Sequence, residues 1–392
     1  MLFVSGPRQA GKTSLANLIA GDYTNRLYWN WDIPEHKLLF LKTPSFFSEL
    51  ERKDESIPLI VFDEIHKYRD WKNYLKGVYD QFAGQFHFLV SGSGRLDIYQ
   101  RGSDSLAGRY LSFHLWPFSL SELSEHNLSF ETWLKNPLQT VSAHHEHYER
   151  LWRKLAEQSG FPEPFLSDSV RSYRRWSRTY ATQIIREDIR DISGIKSIGD
   201  METFYLLLSS KIGSPLSLTS LANDLRVSYN TVQNWLTLLE RFFLCFLIRP
   251  WTARVARAIQ KEKKLYFWDS PRIADPALRF ENMTAIELWR AVTIWNDLGL
   301  GDFSLHFLKN KEQNEVDFLI ANRNKPIILI ETKLNEDRPS PHLLKFQRML
   351  NVAAVQLTNK PGGFKLFHNQ GNPILVAPAW LWLPCLPFGD ST

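Results

Sequence analysis

Cysteine is nearly absent: Cys245 and Cys385 are the only two in 392 residues. Two cysteines cannot build a disulfide framework, and neither stands in a zinc-ligand spacing, so a reducing compartment, the cytoplasm, is the expectation. Long apolar runs are also lacking. A membrane helix needs roughly 20 consecutive apolar residues, and the richest stretch here, 374–388, is broken by Pro378, Pro384 and Pro387. No membrane partner is therefore expected. The first residues show neither the basic nor the apolar region of a signal peptide. His144, His145 and His147 lie together, but Glu146 and Glu149 beside them favour a solvated helix face over a metal site.

What is present fits a folded chain of several parts. Hydrophobic residues make up 44% and charged residues 23%, enough apolar material to bury helices and strands. A single core stops growing at roughly 250 to 300 residues, so this length implies two to four domains. The net charge of +5 and a pI of about 9.0 favour a polyanionic partner.

Residues 2–4, Leu-Phe-Val, read as a buried strand that runs into Gly6-Pro7-Arg8-Gln9-Ala10-Gly11-Lys12-Thr13, followed by a helical pattern from Ser14 to Ala20. This is G-x-x-x-x-G-K-T in its strand, loop, helix setting. Glycines let backbone N–H groups turn inward around phosphate oxygens, and the helix N-terminus adds partial positive charge. Lys12 is expected to reach the β- and γ-phosphates of ATP, and Thr13 to ligate Mg²⁺. A second strand, 59–62, ends in Asp63-Glu64. Asp63 is expected to hold the magnesium through water, and Glu64 to polarise the attacking water. A third, 86–90, ends in Ser91-Gly92-Ser93, where a hydroxyl can sense the γ-phosphate. Repeated strand and helix units predict an α/β fold with a parallel sheet and ligands at the strand carboxyl ends.

The middle of the chain, Glu122 to Lys211, reads as helices broken at Gly160-Phe-Pro-Glu-Pro164. Arg171, Arg174, Arg175 and Arg178, interleaved with Tyr173 and Trp176, form either a solvated helix face or a phosphate-backbone contact. In 218–239, apolar Leu221, Leu225, Val232, Trp235 and Leu239 fit two helices packed across a short turn. The second would present Ser228, Tyr229, Asn230, Thr231, Gln233 and Asn234, side chains able to touch phosphates or base edges. Two strand-like runs follow, 243–248 and 264–268, and Arg249, Arg254, Arg257, Lys261, Lys263 and Lys264 face a single acid, Glu262. A winged helix-turn-helix is expected, serving either DNA contact or a protein joint.

Near the C-terminus, Phe280-Glu281-Asn282 opens an amphipathic helix. Asp317 sits in Asn314-Glu-Val-Asp-Phe-Leu-Ile, and after a polar turn at Asn322 to Lys325 comes Ile327-Ile-Leu-Ile-Glu331-Thr-Lys333. Two strands joined by that turn can set Asp317 beside Glu331, and strand alternation puts Glu331 and Lys333 on one face. Paired carboxylates suit Mg²⁺, and Lys333 could orient or help deprotonate a water attacking a phosphodiester.

The phosphate loop, the Phe-Asp-Glu-Ile strand end, Ser91-Gly92-Ser93, Ser105-Leu-Ala-Gly-Arg109 and Leu115-Trp-Pro-Phe-Ser together resemble the AAA-type archaeal and bacterial ATPases. These carry a C-terminal domain catalogued as of unknown function and similar to restriction endonucleases, and the likeness covers nearly the whole chain. The resemblance implies that Arg109 contacts nucleotide phosphates in its own or a neighbouring subunit of a homo-oligomer, or else forms a structural salt bridge. The acid, then acid-x-lysine pattern is similar to the restriction-endonuclease and Holliday-junction-resolvase core. In that likeness Glu281 matches the helical acid that would join Asp317 and Glu331 on Mg²⁺, and Gln347 a polar residue after the core. Relatives have a few tens of residues before the phosphate loop, whereas Met1 stands inside the first strand, so a truncated start is expected.

The expected layout is a P-loop ATPase core over 1–121, a helical lid and linker over 122–211, a winged helix-turn-helix over 212–270 and an endonuclease-like domain over 271–392. The expected function is ATP binding and hydrolysis that controls DNA engagement by the C-terminal half, with Mg²⁺-dependent DNA cleavage or as a binding switch that does not cut.

Overall fold

The computed structural model describes residues 1–92, 106–126, 128–141, 145–190, 197–252, 262–369 and 371–389. Ser93, Ser105, His144, Arg254, Arg257 and Lys261 lie outside them. The chain divides into two compact units, 1–117 with 241–243, and 118–240 with 244–392. Among the described residues no helix is long and apolar enough to cross a membrane.

In the first unit the apolar runs form β1 (Leu2–Ser5), β2 (Arg26–Asn30), β3 (Leu59–Asp63), β4 (His87–Ser91) and β5 (Leu111–His114). They make one parallel sheet in the order β2-β3-β4-β1-β5. Alternation of side chains along each strand splits the core in two. Phe3, Ile60, Phe62, Phe88 and Val90 pack on one face with Phe40 and with Trp71, Leu75 and Val78. Val4, Leu59, Val61 and Leu89 pack on the other with Ala16 and Ala20. Helices α1 (Lys12–Gly21), α2 (Pro34–Lys42) and α3 (Trp71–Phe82) supply those partners, so α1 covers one face and α2 and α3 the other. All strand carboxyl ends share one edge, and the loops that follow β1, β3 and β4 meet there.

The second unit begins with helices: α4 (Leu120–Leu123), α5 (Phe130–Lys135), α6 (His145–Gln158), α7 (Pro162–Leu166), α8 (Val170–Gln183), α9 (Ile198–Leu208), α10 (Leu218–Leu225) and α11 (Tyr229–Arg241). His145 and His147 are exposed on α6, as a solvated face predicts. On α8 the four arginines are exposed but Tyr173 and Trp176 are buried, so the aromatics belong to the core and are not interleaved with the arginines at the surface.

After β6 (Cys245–Pro250) and β7 (Lys264–Phe267) come α12 (Pro276–Asp297), β8 (Phe303–Lys309), β9 (Glu315–Asn322), β10 (Lys325–Lys333), α13 (Pro341–Leu350), β11 (Ala353–Thr358), β12 (Lys365–Asn369), β13 (Asn372–Pro378) and α14 (Ala379–Trp382). The eight strands form one mixed sheet, β12-β13-β11-β10-β9-β8-β6-β7. The β6–β7 hairpin is therefore continuous with the C-terminal sheet through the parallel pairing of β6 and β8. Helix α12 starts earlier than its pattern predicts: Asp275 accepts the N–H groups of Ala277 and Leu278 (2.8 and 2.9 Å), and Pro276 is preorganised for a first turn. Glu281 consequently lies in the second turn, not at the opening.

Candidate functional site

The loop after β1 is held in a conformation few sequences tolerate. Gly6 has φ +147°, and a Cβ there would lie 2.1 Å from the carbonyl oxygen of Leu115. Gly11, at φ 97°, is the N-cap of α1 and gives that helix no side-chain cap, and the first turn carries no acid. A helix start with no side-chain cap and no acid in its first turn directs its backbone N–H groups and partial positive charge toward an anion. Lys12 folds back over the loop, donating from Nζ to Gly6 O (3.0 Å) and Pro7 O (2.6 Å). Arg8, Gln9, Ala10 and Ser14 complete the loop and first turn.

Asp63 is the hub of the strand edge. It is buried at the end of β3, and parallel register places it level with Asn30 on β2 and Ser91 on β4. Its Oδ2 accepts Thr13 Oγ1 at 2.9 Å, Tyr28 OH at 2.6 Å and Asn30 Nδ2 at 3.2 Å, and its Oδ1 accepts Ser91 Oγ at 2.5 Å. Thr13, Asp63 and Ser91, read separately from sequence, are thus brought together. Tyr28 and Asn30 were not foreseen; the signal was a strand ending one register step from an acid, which needs the sheet order to interpret. Burial first, then the bond to Asp63, pushes the Tyr28 hydroxyl up to about 12, so it donates at neutral pH.

Glu64 follows in a left-handed turn (φ 57°), its N–H held by Ser91 O at 2.9 Å. Its Oε2 lies 3.3 Å from Lys67 Nζ and 3.4 Å from His66 Nε2, and Lys67 also binds Asp32. Burial raises the Glu64 carboxyl above the ordinary range and Asp63 adds to this, while Lys67 and Lys12 oppose it. A carboxylate so raised is a stronger base near neutral pH.

Arg109 is placed elsewhere. Leu111 pairs with Leu2, so Arg109, just before β5, lies toward the edge of the sheet opposite the phosphate loop. Its Nε and Nη2 donate to Asp80 Oδ1 (2.7 Å) and Oδ2 (3.3 Å) near the end of α3. Of the roles open to it, the salt bridge is the one it makes, and register keeps it from the nucleotide loop of its own chain.

In the second unit β9 and β10 pair antiparallel, with Phe318 opposite Ile330, which sets Asp317 and Glu331 on adjacent strands. Lys333 Nζ lies 3.0 Å from Glu331 Oε1. Asp317 Oδ2 accepts both the N–H (2.8 Å) and the hydroxyl (2.6 Å) of Thr332. Glu281 does not join them as a third free acid: its Oε1 accepts Lys264 Nζ at 3.2 Å and Tyr266 OH at 2.8 Å. Among the described residues no group of three or more His, Cys, Asp or Glu side chains is arranged to hold a metal ion. Gln347 is buried and spans Asn369 Nδ2 (2.7 Å) and Pro373 O (3.3 Å), a packing role. Lys264, read from sequence as part of a basic wing, is instead buried among the acids; Glu315 and Tyr266 carry no local sign that they meet it.

Burial, reinforced by Asp317, pushes Glu281 up to about 7 and Glu331 up to about 8, and burial pushes Glu287 to about 7. All three stand above an unfolded value of 4.5. The folded state then binds protons more tightly than the unfolded chain, and their stabilisation is lost as pH rises through those folded values. His126 and His306, held low by burial, act in the opposite sense but are spent above their unfolded 6.5. Thermal unfolding is therefore expected at a lower temperature at pH of about 8.5 than at about 6.5. Glu331→Gln should flatten that slope; calorimetry at the two pH values checks both, and an unchanged or inverted slope refutes it.

An AAA domain model matches residues 1–124, and a domain of unknown function, DUF8612, matches 149–271. An uncharacterized protein of Methanocaldococcus jannaschii is 23% identical over 345 residues, covering 82% of this chain and 74% of that one. One of Mycobacterium bovis is 24% identical over 270 residues, 69% of this chain; the match spans only 54% of the mycobacterial protein. Among solved structures, the Aeropyrum pernix Orc1 protein in complex with DNA is 11% identical with a TM-score of 0.34, over 72% of this chain and 86% of that one, a likeness too slight to carry function. The stretch matched by the AAA domain contains the phosphate loop, Asp63, Glu64 and Ser91: the chain carries an AAA-type P-loop domain at its N-terminal end.

Proposed function

We propose that this chain hydrolyses ATP in a Mg²⁺-dependent reaction and that its nucleotide state governs how the C-terminal half engages DNA. One observation carries the first part: Thr13 from the phosphate loop and Ser91 from β4 converge on a buried Asp63 at 2.9 and 2.5 Å. This oxygen donor set, with Lys12 and the uncapped start of α1 beside it, fits a nucleoside triphosphate and its magnesium. Thr13 and Asp63 would hold the ion, which offsets phosphate charge. Lys12 would leave the carbonyls of Gly6 and Pro7 for the phosphate oxygens. Glu64 would accept a proton from the water whose oxygen bonds to the γ-phosphorus as the bond to the β-phosphate oxygen breaks.

The DNA part is supported by α10 and α11, separated by a turn at Arg226, with Ser228, Tyr229, Asn230, Gln233 and Asn234 exposed at the start of α11. Followed by the antiparallel β6–β7 pair, these elements read as a winged helix-turn-helix. The strands β8 to β11 with α12 and α13 read as an endonuclease-like domain. The hold of Lys264 on Glu281 favours binding over cleavage for that domain.

The nucleotide reading is tested with Glu64→Gln. Losing a general base costs about 10² to 10⁴ in rate, so phosphate release should fall by at least about a hundredfold while equilibrium ATP binding persists. Wild-type turnover in the variant removes Glu64 from the chemistry.

A further inference from the structure

Lys264 is among the most buried charged side chains of the protein, 1% exposed, on a strand whose four residues are all buried. Its Nζ lies 2.5 Å from Glu315 Oε1, 3.2 Å from Glu281 Oε1 and 3.9 Å from Asp317 Oδ1. Three acids from α12 and β9 thus surround one ammonium from β7. We infer that Lys264 is the resident cation of the C-terminal acid cluster, standing where a divalent metal would have to sit, and that Glu281 and Asp317 take no metal in the native protein.

Further bonding positions on these acids are taken as well. Tyr266 OH donates to the same Glu281 oxygen at 2.8 Å, Thr332 donates twice to Asp317 Oδ2, and Lys309 lies 3.4 Å from Glu315 Oε2. Above Glu281 the chain closes over at Gly213, whose φ is +67°; a Cβ there would lie 3.0 Å from Glu281 Oε2. Gly213 N–H is tied to Leu265 O at 3.1 Å, next to Lys264. The Phe307 ring centroid lies 5.4 Å from the ammonium, a cation–π contact that adds to the hold on Lys264. Magnesium needs near-octahedral oxygens at about 2.0 to 2.1 Å. An ammonium 2.5 Å from Glu315, 3.2 Å from Glu281 and 3.9 Å from Asp317 repels a divalent ion strongly. The set of Glu281, Asp317 and Glu331 expected from sequence is therefore broken at Glu281, whose carboxylate the ammonium holds. The inference stands apart from the nucleotide site, which lies in the other unit.

The test uses Mn²⁺ alone as probe, its binding to the full chain followed by electron paramagnetic resonance. Wild type and Asp317→Asn should bind Mn²⁺ equally. Lys264→Met removes the ammonium but keeps the acids, and should gain an Mn²⁺ site at least about tenfold tighter than any that depends on Asp317 in wild type. Lys264→Met with Asp317→Asn should lose that gain. Wild-type binding that Asp317→Asn abolishes overturns the inference, as does a folded Lys264→Met that gains no site. If Lys264→Met does not fold, the comparison of wild type with Asp317→Asn still decides. Mg²⁺-dependent cleavage of plasmid DNA by wild type that Asp317→Asn abolishes would overturn it independently.

Discussion

Replacing Lys12 with Ala lowers ATP turnover by about a thousandfold, the upper end of what one preorganised electrostatic donor contributes to a reaction. The lysine is 8% exposed and donates to backbone carbonyls of its own loop, Gly6 and Pro7. Gly6 and Pro7 are buried with the lysine in place; truncation to Ala opens the space the ammonium filled to water that can donate to both carbonyls, so the fold loses little while the phosphates lose their nearest cation. Unfolding temperature should stay close to wild type, which separates this outcome from simple misfolding. The same variant tests the coupling to DNA. Wild type should bind duplex DNA with different affinity in the presence and absence of ATP, and Lys12→Ala should not. Unchanged turnover in a clean preparation refutes the nucleotide site; turnover lost without any effect of ATP on DNA binding in wild type refutes only the coupling.

The nucleotide loop was legible because everything it needs is local. Gly6, Gly11, Lys12 and Thr13 fall in a stretch of chain where strand, turn and helix follow one another, and each residue type has one physical task there. Asp63 and Ser91 were legible because each ends a strongly apolar strand, and parallel strands end at one edge. Tyr28 and Asn30 were not, although they donate to the same Asp63 oxygen as Thr13 does. Their role follows from β2 lying beside β3, and no pattern in 26–30 says which strand is its neighbour. Arg109 shows the limit from the other direction: the motif left a nucleotide role and a salt bridge open, and the pairing of Leu111 with Leu2, a relation across a hundred residues, decides which end of the sheet it occupies.

In the second unit the split is similar. Strand alternation foretold that Glu331 and Lys333 share a face, and they lie 3.0 Å apart. The pairing of β9 with β10 across a short turn was equally local. What sequence could not give was the environment on the remaining side of Asp317. That depends on β7, which reaches the C-terminal sheet only through β6 and β8, and on α12 carrying Glu281 back toward it. A run of basic residues leading into β7 reads as a wing, yet its last member, Lys264, is drawn into the core. Burial of a lysine is costly unless acids surround it, and here they do.

Lys264→Met should therefore be among the most destabilising single changes in the protein. Removing one partner of a buried ion pair typically costs about 3 to 5 kcal/mol, because the other partner is left charged and dry. Here Glu281 loses the ammonium that holds it, and Glu315 keeps Lys309 at 3.4 Å, so the loss concentrates on Glu281 and Asp317. With about 2 to 4 °C per kcal/mol for units of 150 to 250 residues, the unfolding temperature should fall by on the order of 10 °C. Adding Glu281→Gln removes the charge that Lys264 had balanced and should recover a large part of that loss, whereas Glu281→Gln alone should cost much less than Lys264→Met. Residues in one ion cluster couple by about 0.5 to 3 kcal/mol, so a cycle of the two single variants and the double reads the interaction directly. Additive losses would mean that Lys264 stabilises through its packed stem and the Phe307 face, not through the acids. In that case the cluster would not need its own cation, and the argument that Lys264 occupies a metal's place would lose its energetic basis.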